Sequence, residues 1–184
     1  MNATQLLRQV QQELEKEKVK ERYFDLPSEL VQAVQKHDDY EVARLLQSGV
    51  NPNVLNRWGM PVLNHAIYYG YTRIVDLLLS KGANPNGNEK AIPLHTAVIA
   101  NQPAIVQLLL KAHANINKQN KDGQTALMLA VEYNHPEIIA LLLQAGADKE
   151  LENIYQERAI DIARKKQNQT LINLLLGSPL VFKP

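Results

Sequence analysis

The sequence contains no cysteine in its 184 residues. Disulfide cross-links and thiolate metal sites are therefore excluded, and the core must hold by packing alone. Such a chain suits a reducing cytosol. Phenylalanine and tryptophan are scarce, with two and one copies, so the seven tyrosines supply most of the aromatic surface. An excess of charge is lacking too. The formal net charge is +1, which predicts no general attraction to nucleic acid or to an anionic membrane. Leucine triplets such as Leu77-Leu78-Leu79 fall far short of the roughly 20 apolar residues of a membrane span. Residues Met1 to Lys20 lack the unbroken apolar core of a secretory signal. The expectation is a soluble, intracellular protein, cytoplasmic above all or, if bacterial, one delivered into a host cell.

What the sequence does have is self-similarity, which bounds the fold more tightly than composition does. The triplets Leu77-Leu78-Leu79 and Leu108-Leu109-Leu110 lie 31 residues apart, and Leu141-Leu142-Leu143 and Leu174-Leu175-Leu176 follow at steps of 33. Arg44-Leu45-Leu46 is a degenerate copy 33 residues before the first. Other columns keep the same step. Small Ala33, Ala66, Ala97, Ala130 and Ala163 form one, and Leu30, Leu63, Leu94, Leu127 and Ile160 another. A turn column carries Gly49, Gly82, His113 and Gly146, and a further one Asn53, Asn86, Asn117 and then Glu150. Alanine lets two helices approach closely. Ile74, Val75, Leu77, Leu78 and Leu79 make a helix whose apolar face needs cover. One such unit cannot bury its own face, so neighbours must stack.

At these residues the chain resembles the ankyrin-repeat family. Ile92-Pro93-Leu94-His95-Thr96-Ala97 is close to the family's Thr-Pro-Leu-His-x-Ala pattern. Asp122-Gly123-Gln124-Thr125-Ala126-Leu127 matches its repeat opening, and Gly82-Ala83-Asn84-Pro85-Asn86 and Gly146-Ala147-Asp148 its repeat ending. The resemblance implies an all-α solenoid of helix-loop-helix units with short hairpin-like fingers. Its expected repeats are 26–55, 56–87, 88–119, 120–152 and 153–177, the first and last serving as caps. One departure carries a structural expectation. Asn53 to Leu63 and Asn117 to Leu127 span ten residues, but Asn86 to Leu94 only eight, and Lys90 replaces the turn glycine. The finger there should be about two residues shorter, with a tight or irregular turn at 87–90.

The two ends fall outside the repeat. Leu6, Leu7, Val10 and Leu14 recur at helical spacing, and residues 1–25 read as a charged amphipathic helix. It could pack on the first repeat, await a partner, or pair as a short coiled coil. Residues 178–184 form a short tail whose Leu180, Val181 and Phe182 could cover the last repeat.

No catalytic, cofactor-binding or metal-binding residue is assigned. His37, His65, His95, His113 and His135 show no metal-ligand spacing on a common helical face, and no nucleophile elbow or phosphate-cradling loop is present. His95 stands at the family's own histidine, where the resemblance implies a ring that ties loop backbones together. Arg164-Lys165-Lys166 reads as the solvated face of a terminal repeat. The family's variable positions, on the fingers and the exposed side of each first helix, fall here on Trp58, Met60, Tyr68, Tyr69, Ile99, Glu132, Tyr133, Tyr155 and Lys165. Tryptophan and tyrosine bury much area and keep a polar tip, which suits recognition of another protein. The competing reading is that some of these rings stack on neighbouring fingers and serve stability. The expectation is a monomeric, non-catalytic module that binds a partner protein, and neither nucleic acid nor membrane. Its variants are an adaptor that recruits a client to a separate enzyme, or a bacterial effector that captures a host protein.

Overall fold

The computed structural model describes residues 29–88 and 90–177. The helix expected near the N-terminus and the tail from Ser178 lie outside them. Among the described residues, ten short helices run in pairs. The first pair is α1 (29–35) and α2 (Asp39–Gln47), followed by α3 (Val62–Tyr68) with α4 (Thr72–Ser80) and α5 (Pro93–Ile99) with α6 (Pro103–Lys111). Next come α7 (Ala126–Glu132) with α8 (Pro136–Gln144), and α9 (Ala159–Lys165) with α10 (Gln169–Leu176). Helices α3, α5, α7 and α9 pack in one row, and α2, α4, α6, α8 and α10 in a second behind it. The only strand-like feature among the described residues is an antiparallel bridge between Leu55 and Pro61. No helix among them is long and apolar enough to cross a membrane. The fold is an all-α solenoid.

Helices of seven to nine residues are too short to persist alone, so their stability comes from packing. Their ends are nonetheless written locally. Pro93, Pro103 and Pro136 each open a helix, where the missing N–H costs nothing. Asp38, Thr125 and Asn168 cap α2, α7 and α10 with a side-chain oxygen. Within each pair the first helix stops at a left-handed residue: His37, Gly70, Asn101, Asn134 and Gln167 all have φ between 51° and 72°. After the second helix of successive pairs, Gly49, Gly82, His113 and Gly146 do the same, so His113 adopts the backbone of the glycines it replaces.

The recurring columns form the core. Ala33, Ala66, Ala97, Ala130 and Ala163 are all buried, as are Leu30, Leu63, Leu94 and Leu127, while Ile160 in the last pair is only half-buried. With no further described pair beyond it, α9 has less cover. Leu109 and Leu142 are fully buried in the second row.

Four fingers link the pairs: residues 48–61, 81–92, 112–125 and 145–158. In the first, third and fourth, the N–H of Asn56, Asn120 or Asn153 reaches the carbonyl four residues on. The same asparagine's Oδ1 accepts the amides two and four residues on. The second finger is two residues shorter, as its spacing predicts. One residue is lost before Asn88. The other is lost in the turn, where Asn88 bonds to Ala91 only three residues on, at 3.1 Å. Among the described residues of that turn, none matches the left-handed Gly59, Gly123 or Gln156 of the other fingers, and a positive φ of 61° falls on Gly87 before it.

The asparagine column stitches neighbours together. Oδ1 of Asn53 accepts the N–H of Asn84 at 2.7 Å, that of Asn86 the N–H of Asn115 at 2.7 Å, and that of Asn117 the N–H of Asp148 at 2.9 Å. Each bond joins one repeat to the next and satisfies a backbone donor that would otherwise face solvent at the base of a finger.

Candidate functional site

The fingers project from the first-row helices, and the angle between them encloses a groove of about 910 Å³. Six of the residues singled out in the sequence line it: Trp58, Met60, Tyr68, Tyr69, Ile99 and Tyr133. They come from a finger, from the C-terminal ends of α3 and α5, and from the residues that follow α3 and α7. Stacking at a regular step brings together side chains up to 75 positions apart in the chain. Glu132, Tyr155 and Lys165 are exposed but do not line this groove. Lys165 is engaged by Glu157, and Glu132 accepts a hydrogen bond from Gln124 at 2.9 Å.

Exposure discriminates between the two readings of the rings. Trp58, Tyr68, Tyr69 and Tyr133 retain 58, 59, 57 and 49% of their surface. They are not buried against neighbouring fingers. Their contacts orient them nonetheless. Tyr68 and Tyr69 meet edge to face at 5.2 Å, and Tyr69 also touches His65 at 4.7 Å and lies near Tyr71 at 5.8 Å. Tyr71 in turn stacks on His37 of the first pair at 3.9 Å. The Arg57 guanidinium lies over the Trp58 ring, 4.1 Å from its centre. A ring held by neighbours on one side and open on the other loses little freedom when something covers it.

Beneath the rings the floor is polar and largely satisfied. His95 is 5% exposed, and its Nε2 lies 2.9 Å from the Lys118 carbonyl of the next finger. Burial pushes its imidazole down to about 4, outweighing that hydrogen bond, and the Lys118 ammonium acts in the same direction. The ring is thus neutral near pH 7, with Nε2–H as donor. Asn64 occupies the matching position one repeat earlier, donating from Nδ2 to Thr96 Oγ1 at 2.8 Å while its buried Oδ1 has no protein partner.

The depressed imidazole has a consequence for stability. The unfolded chain takes up the proton near pH 6.5 and the folded chain only near pH 4, so between these values the unfolded state holds more protons. Stability from this group is complete above pH 6.5 and is lost as the pH falls towards 4. Urea denaturation across that window should show the decline, and His95→Gln should flatten it. An equal slope in the variant would assign the decline to other groups.

Sequence reasoning found the aromatic lining and missed the cations beside it. Lys90 and Lys121 line the groove from the second and third fingers, and Arg57 follows the finger asparagine as Lys121 does. That shared position was a readable signal. It was masked because the shortened finger displaces Lys90 from the common register.

A family profile described as ankyrin repeats in three copies matches residues 30–120 and 94–181. Among characterised proteins, the chain is 30% identical over 100 residues to the E3 ubiquitin-protein ligase Ufd4 of Drosophila melanogaster, covering 54% of this chain and 4% of that protein. It is 32% identical over 100 residues to the E3 ubiquitin-protein ligase hecd-1 of Caenorhabditis elegans, again 54% of this chain and 4% of the relative. It is 42% identical over 64 residues to the 2-5A-dependent ribonuclease of Mus musculus, which is 34% of this chain and 9% of that protein. The chain therefore spans only a small fraction of the relatives it matches.

Proposed function

Since the chain belongs to the ankyrin-repeat family, whose repeats generally mediate protein–protein interaction, we propose that it holds a partner protein in the groove between its fingers and first-row helices. The observation that carries this reading is the convergence of exposed Trp58, Tyr68, Tyr69 and Tyr133, from two repeats, on one concave surface. Isolated exposed aromatics are ordinary, but a contiguous cluster in a concavity is not. The fold is typically a non-catalytic interaction module, and we read this chain the same way: a monomeric, cysteine-free adaptor working in a reducing intracellular compartment.

Replacing Trp58 and Tyr68 together with alanine should weaken capture of the partner by about thirtyfold or more, the usual loss for a hot-spot aromatic. Both are more than half exposed, so the melting temperature should move little. The measurement compares proteins retained from a native extract by the wild-type chain and by the double variant, followed by affinity determination for the one retained. Undiminished capture by the double variant would place the binding surface elsewhere.

A further inference from the structure

The groove has a charged rim. Arg57, Lys90 and Lys121 stand exposed on the first, second and third fingers. Two of them flank the tryptophan. Arg57 covers the Trp58 ring, and the Lys90 side chain lies so close to Gly59 that a methyl group added there would meet its Nζ at 2.9 Å. Asn88 Nδ2 donates to the Gly59 carbonyl at 3.2 Å and holds the two fingers together at this point. The shortened second finger therefore delivers Lys90 to the side of Trp58. Among the described residues, no carboxylate lies within 4.0 Å of any of the three cations. The far end of the array differs: Glu150 and Glu157 already hold Arg158 and Lys165. Asp122 is the one carboxylate among the described lining residues.

We propose that the groove selects an acidic segment of its partner: an extended peptide whose carboxylates meet Arg57 and Lys90 while a neighbouring apolar side chain rests on Tyr68, Tyr69 and Ile99. This rests on the groove being the partner site and names the chemistry it selects. A guanidinium held over an indole face is pre-organised with N–H donors still open, which suits a bidentate carboxylate. Apolar area beside the charges supplies affinity, and the charges supply choice among partners. A nucleic-acid strand fits less well. Its evenly repeated phosphates would be carried past Asp122, whereas a peptide can place its acids at the Trp58 end alone.

Trp58 is the only tryptophan in the chain, so its emission reports on this site. Three short synthetic peptides with the same central leucine–phenylalanine pair, flanked by glutamates, glutamines or lysines, are titrated into the full chain, alongside an oligouridylate. Titration calorimetry supplies the affinities independently of emission. The glutamate peptide should bind at least about tenfold tighter than the glutamine peptide, with affinity falling as salt is raised, and the lysine peptide should bind weakest. In the variant carrying Arg57→Glu and Lys90→Glu the order should invert, with circular dichroism verifying the fold. Should that variant unfold, the ranking and salt dependence in the wild-type chain decide. Equal or tighter binding of the glutamine or lysine peptide would overturn the acidic preference and leave the groove as a partner site. Tighter binding of the oligouridylate would overturn it in favour of nucleic acid. No response to any peptide would also overturn it, and the capture experiment with Trp58 and Tyr68 variants would then judge the groove separately.

Discussion

Leu109→Ala should lower the stability of the array by about 2–5 kcal/mol, the range for a fully buried leucine truncated in a core that cannot collapse around the gap. Leu109 has no exposed surface and sits in α6, the second-row helix of the middle pair. That helix packs against α4 on one side and α8 on the other. In a stacked array, stability is the sum of each repeat and its two interfaces, so damage at the centre weakens both junctions at once. Domains of this size are stable by only about 5–15 kcal/mol. The loss should therefore appear as a large drop in the urea midpoint, or as a split transition with the two halves melting separately. Leu176→Ala, in the last helix where the side chain is 57% exposed, should change stability by only about 0.5 kcal/mol. Equal effects of the two truncations would mean that the second row is not the buried spine.

Gly87→Ala should be comparably severe for a different reason. Gly87 has φ of 61°, where an L side chain costs roughly 1–2 kcal/mol. A methyl group there would also come within 2.1 Å of the Ala91 carbonyl oxygen and 2.5 Å of Pro93 Cδ, so the backbone of the shortened finger would have to move. Such overpacking costs about 1–3 kcal/mol more, for a total of roughly 2–5 kcal/mol. Gly82→Ala separates the two contributions. Its φ is 88°, yet an added methyl meets nothing within 4 Å, so only the backbone penalty applies. Thermal and urea denaturation of both variants should rank Gly87→Ala clearly below Gly82→Ala. If both lose the same amount, the turn relaxes around the methyl and the close approach of Gly87 to Ala91 is not a constraint.

How much of this was legible in the chain depended on what each column repeats. The alanine column and most of the leucine column recur as residue types because burial and close helix approach admit few others. They could be read directly. The left-handed column after each first helix passes through His37, Gly70, Asn101, Asn134 and Gln167, which share a backbone conformation but no chemistry. A search for recurring letters passes over it. The shortened finger was countable, but the division of the loss around Asn88 followed only from the hydrogen bonds. At the candidate site, the family's variable positions, carried over by register, assigned Trp58, Met60, Tyr68, Tyr69, Ile99 and Tyr133 to a shared face. They also pointed to Glu132, Tyr155 and Lys165, which do not line the groove: Glu132 accepts from Gln124, Lys165 is engaged by Glu157, and Tyr155 stands exposed on the last finger. Periodicity predicts the face a residue occupies, not whether a neighbour has already engaged it.

The asparagine ladder at the finger bases runs in one direction. Asn53, Asn86 and Asn117 each offer an oxygen to an amide 31, 29 and 31 residues further on, never backwards. A chain is synthesised from its amino end, so each acceptor is in place before its donor emerges. Every new unit meets a finished edge, closes a loop of about one repeat, and becomes the edge for its successor, which keeps the entropic barrier small and constant along the array. At the fourth place in the ladder stands Glu150, whose carboxylate turns to Arg158 in the same finger. Growth by this route is thus vectorial.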